Sequence, residues 1–252
     1  MSAKKETLGK TVGVVVAVCL VCSIIVSTAS VGLRSLQEAN AAIDKQSNIV
    51  EAAGLIDFAA GDISGTFEKY IEERFINLDT GEYVDKPKDG YDMYKAAKNP
   101  QFSVEVTNSN VGFKQRASIA NIYLVRNDAG EVTRLVLPVH GSGLWDLMYG
   151  LLAIDADGNT VRELIYYQHK ETPGLGGEIQ NPSWKAKWDG KKLFDDGKVA
   201  IEVNKGDNSN DQYAVDALSG ATLTSNGVQN TLTYWAGENG FGPYLKNQTW
   251  KS

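Results

Sequence analysis

The chain has 252 residues, with 25 Lys and Arg against 31 Asp and Glu, a formal net charge of −6. No basic stripe exists to neutralise a phosphate backbone, which argues against a nucleic-acid partner. Hydrophobic residues make up 42% of the chain and charged residues 22%, which excludes an intrinsically disordered chain and describes a folded body.

Residues 11–33 carry no charge and are rich in Val, Ile, Leu, Ala and Ser. At about 1.5 Å per residue this run exceeds the roughly 30 Å hydrocarbon core of a bilayer. Lys4, Lys5 and Lys10 precede it and Arg34 follows. The cation excess ahead of the run predicts a cytoplasmic N-terminus over residues 1–10, a transmembrane helix over 11–33 and an exported C-terminal body. A cleaved signal peptide is the competing reading, and the length and flanks of the run favour a retained anchor. The only cysteines, Cys19 and Cys22, lie inside the run. Their spacing puts both on one helical face, where a metal or redox role would need ligands from a partner chain; small apolar packing is the plainer role.

Residues 34–110 read as a helical stalk and the N-terminal part of the exported domain. Leu36, Ala39, Ile43, Val50 and Ala53 recur at helical spacing over residues 35–55, with Gly54 as the stop. Residues 67–75 (FEKYIEERF) predict a short charged helix, 79–81 a turn and 86–90 a loop. From Ile119 the character changes to β. Strands are predicted over 119–126 and 131–139, and over 148–154 and 160–169. The turn Asp155-Ala156-Asp157-Gly158-Asn159 imitates the start of a calcium loop. Tyr166 occupies the twelfth position where that loop needs Glu, so a hairpin turn is predicted. Asn181 and Pro182 start a short helix, 199–204 is a strand, and 205–212 is a polar loop. Thr224 or Ser225 caps a helix that runs to about Trp235, with Val228, Leu232 and Trp235 on its apolar face. The expected fold is α+β: a single N-terminal transmembrane helix, then an exported domain with a twisted, mostly antiparallel sheet flanked by helices. Residues 111–252 form its ligand-binding part.

Three glycine-rich loops each follow a strand-like run: His140-Gly141-Ser142-Gly143-Leu144-Trp145, Glu171-Thr172-Pro173-Gly174-Leu175-Gly176-Gly177, and Ser219-Gly220-Ala221-Thr222. Together at one rim of the sheet they could seat a flat heteroaromatic ring between Trp145 and Leu175. The third loop, at a helix N-terminus, would then hold a phosphate. Taken singly, each could be an ordinary turn. His140 and His169 sit at strand ends without a third ligand at regular spacing, so structural roles are expected and no metal site is predicted. Ser142 lacks the strand–elbow–helix context of a hydrolase nucleophile, and no catalytic residue is predicted.

Asp216-x-x-Ser219-Gly220-Ala221-Thr222 resembles the D-x-x-[ST]-G-A-T acceptor motif of covalently flavinylated proteins, and HGSGLW and ETPGLGG resemble the FMN-binding domain family. Nearly the whole chain is similar to the C-type subunits of bacterial sodium-translocating NADH:quinone oxidoreductases. The G-type subunits of Rnf-type electron-transport complexes are the shorter relatives. The resemblance implies FMN joined covalently through its phosphate to Thr222. Ser142, Gly143, Leu144, Trp145, Glu171, Thr172, Leu175, Gly176, Ser219, Gly220, Ala221, Thr224 and Ser225 are then candidate FMN contacts. Asp216 is a recognition residue for the flavin transferase, or else an Asx-type cap of the turn. The implied protein is an electron-transfer subunit of a membrane redox pump in the bacterial inner membrane, with its C-terminal domain periplasmic. Its partners are other subunits of the complex, lipid, and the transferase during maturation. A covalent-FMN G-type subunit of an Rnf-type complex is the runner-up, and a membrane-anchored ligand-binding or assembly module that holds its ligand non-covalently is the alternative of a different class.

Overall fold

The computed structural model describes residues 8–88, 90–107 and 109–251; Lys4, Lys5 and Asp89 of the expected 86–90 loop lie outside them. The chain divides into two compact units, residues 1–45 and 46–252. Helix α1 (Leu8–Ala52) supplies the described part of the first unit and enters the second. Among the described residues it is the one helix long and apolar enough to cross a membrane. Inside the apolar run the Thr28 hydroxyl donates to the Ile24 carbonyl at 2.7 Å, so this polar side chain is satisfied within its own helix.

In the second unit α1 stops where expected. Gly54 adopts φ +71°, and its N–H donates to the Glu51 carbonyl at 2.8 Å, a left-handed ending that glycine accommodates without strain. Short helices α2 (Ile56–Ala59) and α3 (Ile63–Tyr70) follow. The Asp62 carboxylate caps α3, accepting from the Gly65 N–H at 2.9 Å. The chain continues through strands β1 (Ile71–Asn77) and β2 (Tyr83–Val84), helix α4 (Met93–Ala96), and strands β3 (Ser103–Glu105) and β4 (Gln115–Ala117). Four longer strands come next: β5 (Ile119–Arg126), β6 (Val132–Ser142), β7 (Leu147–Asp155) and β8 (Val161–Gln168). After helix α5 (Pro182–Lys185) come the small strands β9 (Phe194–Asp195), β10 (Lys198–Val199), β11 (Glu202–Asn204) and β12 (Ala214–Asp216), then helices α6 (Thr222–Ala236) and α7 (Gly242–Asn247).

The main sheet has the order β2-β1-β5-β6-β7-β8, and every neighbouring pair is antiparallel. Both of its faces are covered. Ile122, Leu124, Leu135, Leu137, Leu152 and Ile154 pack with Val228, Leu232 and Trp235 of α6. The alternate residues Tyr123, Val125, Val136, Leu151, Ala153 and Ile165 pack with Ile49, Val50 and Ala53. Two-sided burial is why the central strands read as nearly continuous apolar runs, and each such side chain contributes about 1.5–3 kcal/mol. β11 and β12 pair in parallel, which delivers the chain to the start of α6.

Three local expectations are corrected. Residues 67–75 are not one helix: α3 ends at Tyr70 and β1 begins at Ile71. The charges that suggested a helix lie on the strand's partly exposed positions, where Glu72 pairs with Arg126 of β5 at 2.7 Å. Residues 199–204 do not make one strand, because Val199 pairs back on Phe194 whereas Glu202–Asn204 pair with β12. Helix α6 begins at Thr222, with Ala221 as N-cap, rather than being capped by Thr224 or Ser225. The left-handed Gly220, φ +73°, turns the chain early enough for Thr222 to be helical. The hairpin at Asp155–Asn159 forms as expected: the Asp157 carboxylate accepts from the Asn159 and Thr160 N–H groups at 2.8 Å, while Asp155 pairs with Arg162 at 2.7 Å. Asn181 caps α5 as expected, accepting from the Ser183 N–H at 2.9 Å.

Candidate functional site

The three glycine-rich loops meet. The first is the turn between β6 and β7, the second leaves β8, and the third joins β12 to α6. Close backbone approaches show how near they come. A Cβ placed on Gly227, one turn into α6, would stand 2.2 Å from the Ser142 carbonyl oxygen, so only glycine lets the helix lie against the end of β6. A Cβ on Gly220 would touch the Leu175 side chain at 3.4 Å, joining the second loop to the third.

At this junction Thr222 is exposed and is the first residue of α6. No side chain caps that helix, so its first N–H groups are available to an anion. Ser219 and Gly220 beside it are exposed as well. Four large apolar side chains rim the place: Leu144, Trp145, Leu175 and Leu223 are 49%, 67%, 47% and 59% exposed. The Trp145 indole N–H donates to the Thr172 hydroxyl at 3.1 Å, which links the ring to the second loop while leaving much of it uncovered. Leu223 was not anticipated from the sequence; its place beside Thr222 in the first helical turn is the signal that could have found it.

Several candidate contacts face inward instead. Thr224 and Ser225 are each 1% exposed. The Thr224 hydroxyl donates to the Glu171 carboxylate. The Ser225 hydroxyl accepts from the Leu218 N–H at 3.0 Å and donates to the Ala221 carbonyl at 3.1 Å, stapling the turn from within the helix. Glu171 is itself 5% exposed and accepts the Trp145 backbone N–H at 3.0 Å. Gly143 and Gly176 flank that carboxylate, Ala221 is buried, and Ser142 is half-buried with its N–H donating to the Val111 carbonyl at 2.8 Å.

Asp216 does not cap the turn that follows it. Its carboxylate accepts from the Asn208 N–H at 2.7 Å and side-chain amide at 3.0 Å and pairs with Lys187. The Lys187 ammonium, then the Asn208 N–H, hold this carboxyl below the usual range. The Asp216 backbone carbonyl accepts the Trp184 indole N–H at 2.8 Å. The turn over residues 219–222 is thus entered from a residue tied on both sides.

The histidines have structural surroundings. His140 is 5% exposed, stacked against Phe113 at 4.3 Å and Tyr149 at 5.7 Å, and burial pushes its pKa down to about 3. The His169 Nδ1 accepts the Glu171 N–H at 3.1 Å. Among the described residues no group of three or more His, Cys, Asp or Glu could hold a metal ion.

An exposed hydroxyl at an uncapped helix N-terminus, rimmed by exposed aromatic and aliphatic side chains, fits a ligand with a phosphate at one end and a flat ring at the other. Comparison with known proteins agrees. The FMN-binding domain family matches residues 143–237, a span that includes all three loop ends. The chain is 49% identical over 247 residues to the C-type subunit of the Na+-translocating NADH-quinone reductase of Yersinia pestis, covering 96% of this chain and 93% of that one. It is 51% identical to the protein of the same name from Vibrio vulnificus, over 96% of both chains. Among solved structures, Shewanella oneidensis NqrC superposes with a TM-score of 0.76 at 35% identity, covering 81% of this chain and 95% of that one. The C-type subunit of the Parabacteroides distasonis reductase superposes with 0.66 at 28% identity, covering 84% and 96%. At these identities and over nearly its full length, this chain belongs to the family of C-type subunits of Na+-translocating NADH-quinone reductases.

Proposed function

We propose that this chain is the flavin-carrying electron-transfer subunit of a membrane-bound, sodium-translocating NADH:ubiquinone oxidoreductase, with FMN joined through its phosphate to the Thr222 Oγ. The observation that carries the reading is the position of Thr222: exposed, at the uncapped start of α6, where the loops bearing Trp145 and Leu175 converge. The N–H groups of the first turn of α6 meet the phosphate oxygens. Thr224 and Ser225 support the turn from behind, since their hydroxyls are spent on Glu171, Leu218 and Ala221. Ser219 keeps an exposed hydroxyl next to the attachment point. Trp145 and Leu175 offer the ring its apolar seat. When bound, the isoalloxazine supplies the one- and two-electron chemistry, and the protein tunes it through contact and burial.

A phosphoester to a threonine needs an accessible hydroxyl and no redox-active side chain, which matches a body whose only cysteines lie in the N-terminal helix. NADH oxidation, quinone reduction and sodium passage fall to partner subunits, because the apolar run of α1 carries no charged residue with which to conduct an ion. The cation excess at the N-terminus orients the second unit toward the periplasm of a bacterial inner membrane. Attachment is performed by a flavin transferase.

The test is the mass of the denatured protein from cells with an active transferase, followed by peptide mapping. A gain of FMN less water on the peptide holding Thr222 is expected. Thr222→Val, nearly isosteric, is expected to abolish it. Flavin that stays on the denatured Thr222→Val chain overturns the site, and an unmodified wild type overturns the covalent reading.

A further inference from the structure

Glu171 is a buried carboxylate that serves two elements distant in sequence. One oxygen, Oε1, accepts the backbone N–H of Trp145 at 3.0 Å. The other, Oε2, accepts the hydroxyl of Thr224 in the first turn of α6. Its own N–H donates to the His169 Nδ1 at 3.1 Å, which fixes where the side chain starts. The surroundings are shaped to admit it. A Cβ on Gly143 would stand 2.5 Å from Oε1, and one on Gly176 would stand 2.6 Å from Oε2 and 2.5 Å from the Thr224 Oγ1. Any side chain at either position would collide with this carboxylate. Packing alone would be served as well by an apolar residue, and a carboxylate is costly to bury. What a carboxylate adds is two polar atoms that face in different directions, each able to hold one element.

We propose that Glu171 is a positioning residue that couples the Trp145 turn to the first turn of α6, so that the apolar seat and Thr222 are held as one unit. What the seat holds rests on the flavin reading above; the coupling itself is a property of the flavin-free chain. It is therefore tested first on full-length protein from cells without flavin transferase, by amide hydrogen exchange. Thr224→Val removes a hydroxyl on α6 and is expected to speed exchange of the Trp145 amide on a different loop by about tenfold, the scale of one hydrogen bond to a charged group. Glu171→Ala is expected to do the same at Trp145 and to loosen residues 222–226. Glu171→Gln, whose carbonyl accepts the Trp145 N–H and whose amide donates to the Thr224 oxygen, is expected to restore protection. Peptides from β5 and β7 stay unchanged in all three. An unaltered Trp145 amide in Thr224→Val, or a Gln variant no better than Ala, overturns the proposal; should Glu171→Ala fail to fold, the Thr224→Val result decides.

In flavin-loaded protein, Thr224→Val is expected to keep the mass gain at Thr222 but to weaken the visible circular dichroism that a chiral, fixed seat imposes on the ring. An unchanged spectrum overturns the role in seating the ring. A wild type without flavin would sink the flavin reading and leave the exchange result standing.

Discussion

His140 shows how one side chain can set the acid sensitivity of the body. It is neutral because burial alone lowers its pKa to about 3. The unfolded chain, with a histidine pKa of about 6.5, takes up a proton that the native state refuses. Stability is therefore complete above pH ~6.5 and falls as the pH drops from there toward ~3, by about 2 kcal/mol at pH 5. Among the described residues six carboxyls, Glu72, Asp128, Asp146, Asp157, Asp207 and Asp216, are also held low: Asp216 by Lys187, and Asp157, whose partial burial is outweighed, by its hydrogen bonds from Thr160. They push in the same direction only below about pH 4. The interval from pH 7 to pH 5 thus isolates the histidine. His140→Phe, which keeps a ring between Phe113 and Tyr149, is expected to remove that loss whatever its absolute stability. Urea unfolding followed by tryptophan fluorescence at the two pH values measures it, and equal slopes for wild type and variant would contradict the assignment.

At the scale of elements, the contact between α6 and β6 depends on a missing side chain. Gly227→Ala would put a methyl group 2.2 Å from the Ser142 carbonyl, and a backbone oxygen in a paired strand cannot swing aside. The helix must shift, at a cost of about 1–3 kcal/mol, and, on the flavin reading proposed above, the displaced start of α6 should lower flavin loading in the same sample. Denaturation midpoint and intact mass together check this. The helix interior already carried the signal, since glycine there is unfavourable unless something comes close. Strands β5 to β8 were equally legible, because two-sided burial leaves apolar runs punctuated by Asn127–Gly130 and Asp155–Asn159. β1 was not, since Glu72, Glu73 and Arg74 mask a strand whose existence depends on a partner, β5, far along the chain. The site divides in the same way. The meeting of the three loops could be read from composition and motif, whereas the inward turn of Thr224, Ser225 and Glu171 is fixed by burial that no local pattern encodes.

For the whole molecule, the boundary that matters lies inside a helix. Ile49, Val50 and Ala52 fill the back of the sheet, although they belong to the helix that carries the apolar run. A chain that begins at Gln46 is expected to be monomeric and soluble, with the thermal midpoint of the full body. A chain that begins at Leu55 uncovers Tyr123, Val125, Val136, Leu151 and Ile165 and is expected to aggregate or lose several kcal/mol; gel filtration and thermal melts separate the two. The three loops of the site come from separate stretches of chain, brought together only by the six-stranded sheet with α6 laid across it. Non-local contacts of this kind form late in folding. On the flavin reading proposed above, a cofactor joined to Thr222 before that moment would hang by its phosphate with nowhere to rest its ring.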